Sequence, residues 1–354
     1  MTFHRKALVR PLLYAGAILF AAYAIRMLHD QNDRKPYTTG FEVFGTYGRL
    51  TLWADAETAR QAGADMREEM RHLHNMLNLF NKNSELARLN RNAYHRPVKC
   101  SPELWAIMRT ARQAYRLSDG AFDISVGALM DVWGFHQSRN SYPEPRDIKK
   151  ALEACGLDKV RFNDQARTVK FTHPDTYLDF GGLAKGYALD RAVEIAAKHG
   201  IKAGLIDLGG NVFCLSQPPP GRETYKIGVR NPFQPDSVMQ TVPVLGRAVA
   251  TSGNYENYYF KNGKLVHHIL DPRTGYPVER TASVTVISPR GWLSDLYSTA
   301  VFIKGEKLAA KVCREESSTS VLLIRGRRND EPEIRQWRWP TTTELITEKL
   351  TPVP

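Results

Sequence analysis

Cysteine is scarce in this sequence, and the spacings that would give it a chemical role are missing. The 354 residues include four cysteines, Cys100, Cys155, Cys214 and Cys313, and no two of them form a CxxC pair. This argues against a zinc site or a dithiol motif built on paired cysteines. The four residues are therefore expected to be thiols in the core or partners in one or two disulfides.

A stripe of positive charge is also missing, although the protein is basic overall. The formal net charge is +12 and the pI is about 9.5. The Lys and Arg residues are spread along the chain instead of forming a patch interleaved with aromatic residues. This distribution argues against nucleic acid as a partner. An anionic membrane surface or a phosphate-bearing ligand agrees better with it.

The N-terminus contains an uncharged apolar run at residues 11–25, preceded by the basic residues Arg5, Lys6 and Arg10. The run is shorter than the roughly 20 residues of a comfortable transmembrane helix. The pattern predicts an export segment over residues 1–30, either a signal peptide cleaved near Ala24 or an uncleaved anchor. Because the basic flank stays in the cytoplasm, the rest of the chain is expected on the periplasmic side of a bacterial inner membrane, or free in the periplasm after cleavage.

The remainder predicts a short linker and one catalytic domain. Residues 31–40 are interpreted as the linker and residues 41–354 as the domain, with a first strand at residues 44–53. A long amphipathic helix is predicted at residues 57–80 from apolar residues at helical spacing, Phe80 included. A second helix is expected to begin with Ser101 as cap and Pro102 in the first turn, and to stop at Gly120.

After residue 152 short β-rich runs alternate with turns and a helix at residues 183–198. The strands are predicted at residues 176–180, 204–208, 225–229, 283–288 and 320–324. No internal repeat and no second linker is present. The sequence therefore predicts an α+β fold of mixed sheets with packed helices, in a single catalytic domain of two interlocked lobes.

The first segment that indicates chemistry is residues 179–190, where a β-rich run ends in Gly181-Gly182 and a helix begins. Such a turn lets the backbone approach a ligand closely, and a helix N-terminus favours phosphate. Lys185 would add a charged contact. The spacing is neither GxGxxG nor GxxxxGK[ST], so a tight turn followed by a solvated lysine is the alternative.

His268 precedes a predicted type I turn at residues 271–275, within a region dense in hydroxyl, Asp and Gly residues. It is interpreted either as a structural histidine or as a group that transfers a proton or contacts phosphate.

Asp295 and Thr299 are four residues apart, so on a helix they would present a carboxylate and a hydroxyl on the same face. Hard oxygen ligands of this kind suit Mg2+, which needs few protein ligands when phosphates complete its shell. The alternative is that Ser294 and Asp295 simply cap a helix.

Six segments in order carry a further signal. They are residues 44–46 (FGT), 81–90 (NKNSELARLN), 120–127 (GAFDISVG) with Trp133-Gly134, 179–190, 251–277 and 295–299. Together they strongly resemble the ApbE family of FAD:protein FMN transferases, over nearly the whole exported part, residues 44–305.

The resemblance implies a set of site residues. Asp295, Thr299 and the backbone carbonyl of Gly182 would be the Mg2+ ligands. Contacts with FAD would come from Ala121, Phe122, Asp123, Asp179, Lys185 and Ile269. Phe80 stands where the family often has a Tyr packed against the isoalloxazine ring, and Phe44 where it commonly has Met. Both departures keep an apolar face for the flavin.

The resemblance also implies an activity. With Mg2+ on the FAD pyrophosphate, a Ser or Thr hydroxyl of an acceptor protein would attack the FMN-side phosphorus, and AMP would leave. His268 and Asp295 are the candidates for the base. The acceptor would carry an Asp-Gly/Ala-x-Ser/Thr type of motif in an exported domain of a membrane redox complex. The alternatives are a Mg2+-dependent FAD pyrophosphatase and a non-catalytic FAD-binding protein.

Overall fold

The structure is a computed structural model that describes residues 35–136, 142–326 and 331–340. The predicted export segment, and residues 31–34 of the predicted linker, lie outside the described residues. Among the residues that are described, none of the helices combines the length and apolar character required to cross a membrane.

Helices and strands alternate along the described chain. The helices are α1 (Ala56–Leu77), α2 (Glu85–Asn92), α3 (Pro102–Leu117), α4 (Gly127–Val132), α5 (Pro145–Glu153), α6 (Ala184–Lys198), α7 (Gly291–Lys304) and α8 (Glu306–Glu315). The strands are β1 (Tyr37–Val43), β2 (Thr46–Trp53), β3 (Val98–Lys99), β4 (Val160–Asn163), β5 (Thr168–Phe171), β6 (Ala203–Leu208), β7 (Asn211–Cys214), β8 (Tyr225–Asn231), β9 (Gln234–Val244), β10 (Arg247–Gly253), β11 (Tyr258–Lys261), β12 (Lys264–His267), β13 (Thr281–Ser288), β14 (Ser320–Arg325) and β15 (Glu333–Trp337).

The main sheet has eight strands in the order β1-β2-β6-β7-β10-β13-β14-β15, and every neighbouring pair is antiparallel. All eight residues of β13 are buried, so both faces of the sheet are covered at its centre. Val284 and Val286 belong to the core shared with the helices, whereas Ile287 belongs to a second core shared with the β8–β9 ribbon. A third cluster joins α4 and α5 to the end of β12.

The α6–α7 crossing is unusually close because glycine lies on each helix. A Cβ added to Gly186 would lie 2.5 Å from the carbonyl oxygen of Gly291. The start of α7 is held by Asp190, whose carboxylate accepts hydrogen bonds from the N–H groups of Gly291 (2.7 Å) and Trp292 (3.1 Å). Together these contacts fix the first turns of α6 and α7 against each other.

The second predicted helix is confirmed in detail. The hydroxyl of Ser101 accepts a hydrogen bond from the Leu104 N–H at 3.1 Å, and Pro102 begins α3. After the helix, Gly120 adopts φ +77, a left-handed conformation that favours glycine. The predicted turn after His268 is also present, since the Asp271 carbonyl accepts from the N–H of Thr274 at 3.2 Å and from that of Gly275 at 2.8 Å.

Three boundary predictions were wrong. The linker was predicted to extend to residue 40, but strand β1 begins at Tyr37. The first strand was predicted to begin at Phe44, but Phe44 lies in the β1–β2 turn with φ +52. Helix α1 ends at Leu77, which leaves Phe80 in the following loop with 74% of its surface exposed.

The predicted strand at residues 176–180 is also absent. This segment bonds to groups outside any sheet: the amide of Asn90 pairs with the N–H and C=O of Leu178 at 2.9 Å each, and the Asp179 N–H donates to the carbonyl of Ile124 at 2.7 Å.

All four cysteines are buried free thiols. Of the two roles predicted for them, core thiols are therefore confirmed and disulfides are not formed.

Candidate active site

Asp295 lies near the start of α7, inside the helix, so it does not cap the helix end. The side chain is 5% exposed. Its Oδ1 accepts from the side-chain amide of Asn211 at 2.8 Å, and its Oδ2 accepts from the backbone N–H of Gly186 at 2.9 Å. Burial raises the pKa of Asp295, while the charge of Lys185 and these two hydrogen bonds lower it. The carboxylate is thus held in one orientation by two donors.

Gly182 lies just before the helix whose start Asp295 holds. Gly186 is the third residue of α6, so its N–H is one of the donors at the helix start that have no carbonyl partner within the helix. The Asp295 carboxylate accepts this N–H. Gly182 precedes α6 by two residues and is exposed. Asp295 and the predicted fellow ligand Gly182 therefore lie at the same helix start.

Thr299 follows Asp295 by one helical turn and is partly exposed. Its hydroxyl lies 3.1 Å from the hydroxyl of Ser252 on β10, which also contacts the hydroxyl of Ser298 at 2.9 Å. The helix and the neighbouring strand thus bring several hydroxyl groups beside the buried carboxylate.

Lys185 supplies positive charge to this region from the first turn of α6. Burial raises the pKa of Asp295 and of Asp207, and the charge of Lys185 opposes this effect. Burial is also the main reason that the pKa of His268 is lowered, and Lys185 adds to that effect. Asp207, on β6, is partly buried, and its Oδ1 accepts from the Gly210 N–H at 2.9 Å. Lys185 is therefore close enough to both carboxylates to affect their pKa, and it brings positive charge to the start of α6, where a helix N-terminus favours an anionic ligand.

His268 is neutral at ordinary pH. Burial lowers its pKa to about 4, against the opposing effect of a hydrogen bond to Asn257. Its Nδ1 lies 3.2 Å from the Asn257 carbonyl oxygen. Because a carbonyl only accepts, Nδ1 carries the hydrogen and Nε2 keeps a free lone pair. His268 is thus in the protonation state required to accept a proton.

Asp179 is hydrogen-bonded to His136, a residue that was not predicted from the sequence. His136 Nε2 lies 2.8 Å from Asp179 Oδ2, and His136 Nδ1 lies 2.9 Å from Asp131 Oδ1. Asp179 Oδ1 accepts from the Gly181 N–H at 2.7 Å. Burial lowers the pKa of His136. The carboxylates of Asp131 and Asp179 have the larger, opposite effect, so the pKa of His136 rises to about 9.

Phe80 contacts the same cluster. Its ring meets that of His136 edge to face, with centroids 5.9 Å apart. Phe122 is buried beside Gly182, where an added Cβ would lie 3.0 Å from its ring. Of the predicted FAD contacts, Phe122 therefore lies beside the predicted ligand Gly182, and Phe80 and Asp179 both contact His136.

Four predicted contacts lie in more enclosed positions. Asp123 is buried, and its Oδ1 accepts from the N–H (2.8 Å) and hydroxyl (2.7 Å) of Ser125. Ala121 and Ile269 are buried, so their contact with a ligand would be mainly through the backbone. Phe44 packs against His74 of α1, with ring centroids 5.7 Å apart.

Sequence reasoning missed Asp207, Asn211 and His136. For Asp207 a signal existed, because Asp207-Leu-Gly-Gly repeats the Asp-x-Gly-Gly pattern that begins at Asp179. In both copies the carboxylate accepts an N–H from a following glycine. No signal in the sequence indicated His136, because its partner Asp179 lies 43 residues further along the chain.

The Mg2+ site stays a prediction, and its three predicted ligands are oxygen donors. Within the described residues no three His, Cys, Asp or Glu side chains cluster as a metal site. The predicted set contains one carboxylate, one hydroxyl and one carbonyl, all hard oxygen donors. Asp295 is held by two donors and Gly182 is exposed, so the donor set would suit an ion that also takes phosphate oxygens.

The His136 cluster predicts a pH-dependent stability. His136 has a pKa of about 9 in the folded state and an ordinary value of 6.5. Because the folded state binds the proton more tightly, this stabilisation is complete below pH 6.5 and is lost as pH rises through about 9. The difference between these two pKa values corresponds to at most about 3 kcal/mol in the free energy of unfolding. Urea unfolding at pH 6.5 and 9.5 should show this fall in the native protein and a smaller one in His136→Gln. The exposed control His95→Gln should behave like the native protein, and an equal fall in all three would contradict the assignment.

The sequence and the fold both match known proteins. The model of the ApbE family matches residues 44–323. A relative named FAD:protein FMN transferase from Klebsiella pneumoniae (strain 342) is 29% identical over 301 residues, which cover 84% of this chain and 92% of the relative. A relative of the same name from Haemophilus influenzae is 25% identical and covers 88% of this chain and 92% of the relative.

Solved structures give the same result for the fold. The crystal structure of the ApbE protein of Thermotoga maritima matches with a TM-score of 0.77 at 30% identity, covering 84% of this chain and 96% of that one. The flavin transferase ApbE of Vibrio cholerae matches with a TM-score of 0.75 at 22% identity, covering 86% and 98%. The predicted α+β fold is confirmed.

Proposed function

The chain belongs to the ApbE family and is an enzyme of the FAD:protein FMN transferase type, and we propose that it uses Mg2+, attaches FMN to a Ser or Thr of an exported protein and releases AMP. The observation that carries this proposal is the junction of α6 and α7. There Asp295 accepts the Gly186 N–H, the exposed Gly182 lies just before α6, and Thr299 lies one turn further along α7.

Gly182, Asp295 and Thr299 would hold the cation. When bound, Mg2+ would offset negative charge on the FAD pyrophosphate. Lys185, at the same helix start, would add a positive charge for a phosphate oxygen. Phe80 and Phe122 offer apolar surface for the flavin, and Asp179, fixed by His136, offers a hydrogen-bond acceptor.

The proposed transfer is a displacement at phosphorus. The acceptor hydroxyl oxygen forms a bond to the FMN phosphorus, and the bond from that phosphorus to the bridging oxygen breaks. The bridging oxygen keeps the electron pair and leaves with AMP. The hydroxyl proton goes to a base, for which the neutral Nε2 of His268 is the better candidate because both oxygens of Asp295 already accept hydrogen bonds.

The role of His268 gives a testable expectation. His268→Gln should lower the rate of FMN transfer at saturating substrates by about 10²- to 10⁴-fold with little change in the KM for FAD, because proton removal is lost while binding remains. Activity of the native enzyme should fall as pH drops towards 4, where the ring gains a proton. The control is His72→Gln, at an exposed residue on α1 paired with Glu103. Full activity of His268→Gln would exclude this base.

We propose an acceptor with an Asp-Gly/Ala-x-Ser/Thr type of motif on the periplasmic side of the inner membrane, with residues 1–30 directing export. The positive flank before the apolar run supports this orientation.

Product analysis separates the proposal from its alternatives. The full chain is incubated in detergent with FAD, Mg2+ and a purified domain that carries an Asp-Gly-x-Thr segment, and AMP and the FMN adduct are both counted. One AMP per adduct is the expected result. AMP with free FMN and no adduct would favour a pyrophosphatase, and no AMP at all would favour a binding protein.

A further inference from the structure

Three hydroxyl groups connect strand β10 to helix α7 beside Asp295, and we call them the hydroxyl row: Thr299, Ser252 and Ser298. The Ser252 Oγ lies 3.1 Å from the Thr299 Oγ1 and 2.9 Å from the Ser298 Oγ. The Ser298 hydroxyl donates in turn to the backbone carbonyl of Asp295 at 2.9 Å. Ser298 is 1% exposed, so the row ends inside the protein.

The end of the hydroxyl row fixes the direction of its hydrogen bonds. A carbonyl oxygen only accepts, so the bond to Asp295 uses the single hydroxyl hydrogen of Ser298. Ser298 must then accept the hydrogen of Ser252. Ser252 has no second hydrogen to give, so it must accept that of Thr299. All three bonds therefore form in one arrangement, with Thr299 as the first donor.

This direction determines how the Thr299 hydroxyl faces the predicted cation site. A hydroxyl that binds a cation must turn a lone pair towards it and its hydrogen away. The hydrogen of Thr299 is directed at Ser252, which leaves both lone pairs of Oγ1 for other partners. Thr299 is partly exposed, so these lone pairs are not sealed in the core.

Ser252 is well placed to hold this geometry. Strand β10 lies inside the main sheet, between β7 and β13. Ser252 pairs with Val284, a fully buried residue of the core shared with the helices. Directly opposed side chains lie on the same face of a sheet, so Ser252 faces α7 from a rigid strand.

A second hydroxyl pair on β10 lies on the other face. Thr251 points away from α7 because successive side chains of a strand alternate. Its hydroxyl lies 2.9 Å from that of Thr285 on β13. The two pairs are similar in chemistry and adjacent in sequence, but the Thr251 pair stays within the sheet and the Ser252 pair reaches the helix. Thr251 is therefore a natural control for Ser252.

We propose that Ser252 is the positioning residue for Thr299: it accepts the Thr299 hydrogen and so keeps the lone pairs of that hydroxyl directed at the cation. Ser298 sets the direction by using its own hydrogen on the Asp295 carbonyl. This inference rests on the proposed use of Mg2+ at Gly182, Asp295 and Thr299. Partners that orient a metal ligand without touching the ion contribute strongly to metal affinity.

The first test measures Mg2+ binding by calorimetry, with the full chain in detergent, FAD present and acceptor absent. Ser252→Ala should raise the Kd for Mg2+ about tenfold or more, whereas Ser252→Thr, which keeps the hydroxyl, should stay within about threefold of the native protein. Thr251→Val removes the hydroxyl on the other face and should leave the Kd unchanged. An unchanged Kd in Ser252→Ala, or an equal rise in Thr251→Val, would overturn the proposal.

The second test separates metal affinity from a general defect. The FMN transfer rate of Ser252→Ala should be low at limiting Mg2+ and approach the native rate as Mg2+ is raised, because only the affinity is lost. A damaged fold, or a part for Ser252 in the chemical step, would keep the rate low at saturating Mg2+. That result would contradict a positioning role.

A double-mutant cycle shows whether Ser252 acts through Thr299. Ser252→Ala added to Thr299→Ala should cause no further loss of Mg2+ affinity, because the hydroxyl that Ser252 orients is already gone. A further loss as large as that of the single variant would overturn the proposal. If Thr299→Ala and Asp295→Asn weaken Mg2+ binding but Ser252→Ala does not, the proposed function stands and the positioning role fails. If the native protein binds no Mg2+, both fail.

Discussion

Replacing Asp295 with asparagine should reduce FMN transfer by at least about 10²-fold. Asparagine keeps the size of the side chain and an oxygen that can accept the Gly186 N–H, but it removes the negative charge that a divalent cation needs. Losing one electrostatic partner of a phosphoryl-transfer site costs about this much or more. The measurement is the rate of adduct formation over a range of Mg2+ concentrations, together with Mg2+ binding by calorimetry in the presence of FAD.

Asp190 provides the matched control for Asp295. It is also buried and also lies at the α6–α7 junction, but its carboxylate accepts the N–H groups at the start of α7. Asp190→Asn should therefore lower the free energy of unfolding by about 1–2 kcal/mol and leave the Mg2+ dependence of the rate unchanged. Full activity of Asp295→Asn would show that Asp295 does not bind the metal.

Replacing Gly186 with alanine should both destabilise the protein and abolish activity. The new Cβ would lie 2.5 Å from the Gly291 carbonyl oxygen and 2.6 Å from the Asp295 Cβ. These atoms belong to backbone or to the first side-chain carbon, so the helices themselves must separate. We expect a loss of about 3 kcal/mol in the free energy of unfolding, measured in urea. The separation would also break the Gly186–Asp295 hydrogen bond, so Mg2+ binding should weaken in the folded protein.

Gly63→Ala is the control for this substitution. Gly63 is also a buried helical glycine, but its added Cβ would meet the ring of Tyr37, a side chain that can rotate away. It should cost much less stability and no Mg2+ affinity. If Gly186→Ala is as stable and as active as Gly63→Ala, the close α6–α7 crossing does not control the site.

The parts of the fold that the sequence predicted well depend on local interactions. Ser101, Pro102 and Gly120 act within a few residues of their own positions, as cap, first-turn residue and left-handed stop, and α3 was predicted with these limits. Long-range partners explain the failure at residues 176–180. That segment has a β-like composition, but its backbone groups bond to Asn90 and Ile124 instead of to a strand.

In the candidate active site, too, local spacing could be read from the sequence and long-range partners could not. Asp295 and Thr299 were predicted because their spacing places them on one face of a helix, and the structure has that helix. The N–H of Gly186, which orients Asp295, comes from a residue 109 positions earlier, and spacing cannot reveal such a partner. His136 was missed for the same reason. Local motifs therefore predicted individual site residues, whereas the hydrogen bonds that orient those residues could be identified only from the structure.

The intact mass of the acceptor domain tests the central claim most directly. The full chain in detergent, FAD and the acceptor are incubated with Mg2+ or with EDTA, using an acceptor with its Thr intact or replaced by Ala. We expect an added FMN only when Mg2+ and the Thr are both present, with no addition in the other three mixtures. An equal FMN adduct in EDTA, or on the Ala acceptor, would contradict Mg2+-dependent transfer of FMN to the hydroxyl.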